Sequence, residues 1–149
     1  MGVEMMLIKR FEDAETFVAP NHWEVTGLRL QGFEDGGPTN HWIGFSQFLP
    51  GGGAGPDSTP FEKVYVVLEG EMTIEWDGKT DVLRAMDSCT IPAGQERRIE
   101  NKSNHICKML VVMPYPPGSR AMSTISNPLE MFDVKGKTAL ITGASGAFG

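Results

Sequence analysis

The chain is poor in the residues on which metal and redox sites are built. It has three histidines, His22, His41 and His105, and two cysteines, Cys89 and Cys107. No spacing gathers the histidines into a ligand set. The cysteines form no CxxC pair, and without a secretion signal they are expected reduced and buried. The only apolar run at the N-terminus is Met5 to Ile8, followed by Lys9 and Arg10. It is too short for a signal core and has its charges on the wrong side. No stretch approaches the length of a membrane span. Positive charge is also scarce: the net charge of −6 argues against nucleic acid and anionic membrane as partners. A cytoplasmic protein is expected. Residues 1–118 contain no long segment of helical period.

What is present is glycine and proline, 18 and 10 residues in a chain of 149, with short apolar runs between them. Residues 1–30 read as a lead-in, with a weak strand signal from Trp23 to Leu30. His41 to Leu49 is rich in aromatic and β-branched residues and ends at Pro50-Gly51, so it reads as a strand. Residues 51–60 read as a Gly/Pro loop. Val64 to Ile74 is a strand pair broken at Glu69-Gly70. Asp77-Gly78 marks a hairpin. Thr90 to Pro92, Arg97 to Ile99 and Ile106 to Met113 complete a set of short, regularly spaced strands. That pattern predicts an all-β sandwich or barrel.

The turns of residues 50–101 carry a resemblance. The pattern G-x5-HxH-x3,4-E-x6-G aligns Asp57 and Thr59 with its two histidines, Lys63 with its glutamate and Gly70 with its last glycine. The pattern G-x5-PxG-x2-H-x3-N aligns Pro92, Gly94 and Asn101 in step, with Arg97 at the histidine. The chain thus resembles the cupin superfamily, whose fold is a double-stranded β-helix, or jelly-roll barrel. It is similar to a small bacterial group of single-domain cupins that share the run Glu62 to Glu71 and lack the metal histidines. All four ligand positions are substituted, two of them by cations. A pocket lined by Lys63 and Arg97 repels a divalent metal and attracts an anion.

Residues 1–118 are therefore expected to form the barrel and 119–130 a linker. Residues 131–149 resemble the first strand and phosphate loop of a short-chain dehydrogenase/reductase, whose pattern is T-G-x3-G-x-G. Thr142, Gly143 and Gly149 match and Ala147 departs. One strand and half a loop supply no dinucleotide site, so no cofactor is expected.

In a strand, alternate side chains share a face. The resemblance turns Lys63, Tyr65 and Val67 inward, and with them Asp57, Thr59, Arg97 and Ile99. One reading is an anion pocket. Arg97 holds a carboxylate or phosphate, Lys63 is a second cation or a base, and Tyr65 and Asp57 assist proton transfer. Thr59, His22, His41 and Gln47 are further candidate ligand contacts. In the other reading Lys63 and Arg97 pair with Asp57, Glu62 or Glu96 and plug a dead site. A divalent metal held by His22, His41 and Asp57 is the alternative to a metal-free site. Trp42, Phe45, Phe48, Met72, Met109 and Met113 are expected in the core, and no base stands next to Cys89. The function expected is a metal-independent cupin that binds a small anionic substrate and assists an isomerase- or lyase-type proton transfer, in a pathway shared with a short-chain reductase. The alternative is a non-catalytic ligand-binding, regulatory or dimerisation module. In either case a homodimer is expected from the resemblance and from the apolar Val64/Val66/Leu68 face.

Overall fold

The computed structural model describes residues 5–117. After a single 3-10 turn, Phe11–Asp13, nine strands follow: β1 Glu15–Phe17, β2 His22–Gln31, β3 His41–Asp57, β4 Lys63–Glu69, β5 Glu71–Trp76, β6 Lys79–Arg84, β7 Ser88–Ile91, β8 Arg97–Glu100 and β9 Cys107–Pro114. All pairings are antiparallel. The strand order β6-β5-β8-β3-β9-β4-β7 bends one sheet into a nearly closed barrel, with β2 and β1 added on the flank of β3. This is the jelly roll.

Local chemistry explains the turns. Asp77 and Gly78 take φ of 50° and 72°. Two successive left-handed residues make the type I′ turn whose twist suits a tight hairpin, and β5 folds back on β6 with Trp76 opposite Lys79. Asn101 is completely buried. Its amide donates to the carbonyls of Phe48, Leu49 and His105, and its oxygen accepts from Ser103. It ties the β8–β9 turn to the middle of β3.

β3 corrects the expected loop at 51–60, since the strand runs on to Asp57. The glycines there are what make pairing possible. A Cβ at Gly53 would run into the Ile99 carbonyl, and one at Gly55 into the Arg97 carbonyl. Without side chains, β3 lies hard against β8, in register Ala54 to Ile99 and Asp57 to Arg97. Glycine weakens a strand through its backbone entropy, but it is the residue that lets another backbone approach this closely. The lead-in likewise gains the turn at Phe11–Asp13 and β1, too short to leave a periodic signal.

The core sits between the two halves of the barrel. Phe48, Val67, Met72, Ile99 and Met109 are at most 1% exposed, and burying each such side chain contributes roughly 1.5–3 kcal/mol. Trp42, Phe45 and Met113 are buried as well. Cys89 and Cys107 are free thiols. The expected linker at 119–130 and the reductase-like segment at 131–149 lie outside the described residues.

Candidate functional site

Strand alternation builds the site. Along β4, Lys63, Tyr65 and Val67 are buried while Val64 and Val66 are half-exposed. Along β8, Arg97 and Ile99 are buried, and Arg98 points outward to Glu100 at 2.8 Å. The inward faces meet around a cavity of about 180 Å³. Asp57, Thr59, Lys63, Arg97 and His22 make its polar end, while Phe17, Trp23, Trp42, Phe48, Met109 and Met113 make apolar walls.

Arg97 is the fixed point. Its Nε donates to the Tyr65 hydroxyl at 2.8 Å, and Nη1 faces the Asp57 carbonyl at 3.4 Å. The guanidinium carbon and the Lys63 Nζ each lie 5.9 Å from the centre of the Tyr65 ring. The residues Arg97 and Lys63 are 3% and 5% exposed. Among the described residues neither has a carboxylate within 4.0 Å, since the six ion pairs found all involve other groups. Asp57 turns its Oδ1 to the Ser58 amide instead, at 2.8 Å. Glu62 and Glu96 are exposed. The plugged arrangement, in which these acids neutralise the two cations by direct pairing, is not the one observed.

The surroundings tune the titrating groups. Burial, and then the neighbouring Arg97, lowers the Lys63 ammonium from 10.5 to about 8, against a smaller opposing pull from Asp57. Burial raises the Tyr65 phenol, so it remains a hydroxyl at neutral pH. His22 is lowered, chiefly by burial and further by Arg97 and Lys63. Its Nδ1 lies 2.7 Å from the Pro20 carbonyl. A carbonyl only accepts, so Nδ1 carries the proton and Nε2 keeps its lone pair.

Not every candidate contact reaches the cavity. Gln47 lies between the inward-facing Ser46 and Phe48 and so projects from the opposite face of β3. His41 is the exposed first residue of β3, paired with Pro114 and away from the cavity lining. This also removes the His22/His41/Asp57 metal arrangement. Among the described residues no group of three His, Cys, Asp or Glu side chains could hold a metal ion. The cavity offers a single imidazole, and Lys63 and Arg97 stand among its carboxylates, Asp57 and Glu24, and its hydroxyls, a set that does not fit a divalent metal. Sequence reasoning missed Phe17, Val18, Trp23 and Glu24 as cavity residues. They come from β1, its following loop and the bulged start of β2, where period-2 reasoning has nothing to grip.

A jelly roll with this site belongs to a known class. The cupin domain family matches residues 44–113. The chain belongs to the cupin superfamily. It is 40% identical over 111 residues, 74% of this chain and 96% of the relative, to the β-D-galactosidase Rv1717 of Mycobacterium tuberculosis. Two solved structures share the fold: the polyketide cyclase RemF of Streptomyces resistomycificus and a predicted oxalate decarboxylase of Thermotoga maritima. The first has 21% identity and TM-score 0.66, covering 91% of this chain and 99% of that one. The second has 23% identity and TM-score 0.63, covering 72% and 98%.

Proposed function

We propose that the barrel binds a small organic anion in its cavity, without a metal, and assists a proton transfer on it. The observation that carries this reading is the pair of buried cations, Lys63 and Arg97, facing a cavity with no carboxylate within 4.0 Å of either among the described residues. Two such charges are costly to bury unanswered, and an anion in the cavity offsets that cost. Tyr65 holds Arg97 by Nε, which leaves guanidinium N–H groups for a carboxylate. His22 Nε2 and Lys63, lowered toward neutrality, are the groups able to take and return a proton at pH 7. The phenol of Tyr65 is a donor to charge that develops during the step.

Thermal shift against a panel of small carboxylates and phosphates tests the reading. Arg97→Met is expected to abolish the shift while the fold persists, with a midpoint no lower than the unliganded parent, because a buried charge has gone. A large loss of stability with ligand binding intact would show that Arg97 serves structure alone.

A second reading follows from the 40% identical relative named as a β-D-galactosidase. Glycoside hydrolysis ordinarily uses two carboxyl groups flanking the bond. Asp57 and Glu24 are the carboxylates bordering the cavity, and Trp23 and Trp42 are among its lining residues. On this reading an aryl β-D-galactoside is hydrolysed by the parent, and Asp57→Asn and Glu24→Gln each remove the activity. Turnover that survives both substitutions would rule out this pair.

A further inference from the structure

We infer that Lys63 condenses with the carbonyl group of a small oxo acid to form an imine while Arg97 holds the acid's carboxylate. This rests on the anion-binding reading above and names the substrate class and the covalent step.

Three observations lead to it. The Lys63 Nζ belongs to a residue only 5% exposed, yet among the described residues no hydrogen-bond acceptor or carboxylate takes it up. The amine is therefore presented to the cavity rather than engaged in the wall. The nearest cation is not loose: Arg97 is pinned by Tyr65 at 2.8 Å, and both cationic groups stand at 5.9 Å from the same ring centre. Both residues line one cavity, so a carboxylate held on Arg97 lies in the space that the Lys63 amine faces. Finally, His22 contributes an unprotonated Nε2 at the same cavity end, with Asp57 and Thr59 beside it. Burial beside a second cation is how proteins obtain a nucleophilic lysine, and the ammonium lowered to about 8 agrees with this.

The step balances without an oxidant or reductant. The Nζ lone pair attacks the carbonyl carbon, and the C=O pair moves onto oxygen. The ammonium form supplies the oxygen's proton: His22 Nε2 takes it from Lys63 before the attack and passes it to the oxygen, then takes a second proton from the new nitrogen centre, giving a carbinolamine. The same imidazole returns that proton to the departing hydroxyl, which leaves as water as the nitrogen lone pair forms C=N. Ammonium and carbonyl become protonated imine and water. The protonated imine then withdraws electrons from the carbons bonded to it, which favours proton loss there, or decarboxylation where such a carbon carries the carboxylate.

The test is reductive trapping of the full chain with glyoxylate and sodium cyanoborohydride, followed by peptide mass mapping. One reduced adduct is expected on the peptide carrying Lys63, formed at least about tenfold faster than at exposed lysines such as Lys102, in line with the larger free-amine fraction. Lys63→Arg should lose it. Propionate, which has no ketone or aldehyde, should slow the labelling, and Arg97→Met should slow it similarly. Adducts spread evenly over the exposed lysines would overturn the proposal. A thermal shift with propionate but no adduct at Lys63 would also overturn it and leave anion binding standing. If propionate gives no shift and no adduct forms, both fall. Rapid labelling of Lys63 that propionate does not slow would uphold the nucleophile and remove the anion site.

Discussion

A lysine ammonium buried beside a guanidinium is destabilising while it is charged, and the size of that effect depends on pH. The Lys63 ammonium is lowered from 10.5 to about 8. Below pH 8 the folded and unfolded chains both carry its proton, and the penalty is felt in full. Between 8 and 10.5 the unfolded chain holds a proton the folded one has released, so stability rises with pH. Above 10.5 the penalty has gone. Lys63→Met is therefore expected to be more stable than the parent at pH 7, by up to about 3 kcal/mol, with the gap closing by pH 10.5. Urea denaturation of both proteins at pH 7 and pH 10 measures it, and a gap that does not shrink would mean that Lys63 is not desolvated. The same two cations argue against a resident metal. Elemental analysis of the purified chain is expected to find no stoichiometric iron, manganese, zinc or nickel. One metal per chain, held in the cavity beside Lys63 and Arg97, would refute that.

At the scale of the elements, Met86 is the clearest point of strain. It lies in the turn between β6 and β7 with φ of 74° and is 76% exposed. A left-handed L-residue costs about 1–2 kcal/mol that glycine avoids. The amide of Met86 donates to the Val67 carbonyl at 2.7 Å, and glycine keeps that bond. Met86→Gly should raise the unfolding free energy by about 1 kcal/mol, read from a urea midpoint. A fall would contradict the turn geometry. The elements also show what the sequence disclosed. The β5–β6 hairpin was legible because Asp77-Gly78 admits few conformations. The β4 strand was legible because Val64, Val66 and Val67 are β-branched and Gly70 stops the run. The far end of β3 was not, since Gly51 to Gly55 carries no side-chain pattern and its reason for being a strand lies in the carbonyls of β8. His41 and Gln47 were misplaced for a related reason: their position depends on where β3 starts and which face Ser46 and Phe48 turn inward, and only partner strands decide that. His22 was named as a candidate from its sequence neighbourhood alone. Its tautomer depends on the Pro20 carbonyl two residues back, a contact set by the loop between β1 and β2.

The whole molecule limits both the ligand and the portion of chain that is needed. A cavity of about 180 Å³ is below the roughly 300–1,000 Å³ of sites for drug-sized ligands, so a short oxo acid or a single sugar ring suits it and an oligosaccharide does not. Every wall of that cavity comes from residues between Phe17 and Met113. Every strand of the described residues lies between Glu15 and Pro114, and the buried cluster is made from Phe48 through Met109. Within these limits β5, β8, β3, β9 and β4 are paired on both sides and the outer edges of β6 and β7 end the order, so the central ladders of the described residues are complete without a later segment. A chain ending at Gly118 is therefore expected to fold cooperatively, to unfold within a few degrees of the full chain, and to keep its response to small carboxylates. Circular dichroism melts of the two chains, with and without the best carboxylate from the thermal-shift panel, provide the comparison. If the shortened chain unfolds far earlier, or folds but no longer responds to the carboxylate, then residues beyond 118 help build the site and the barrel is not the whole functional unit.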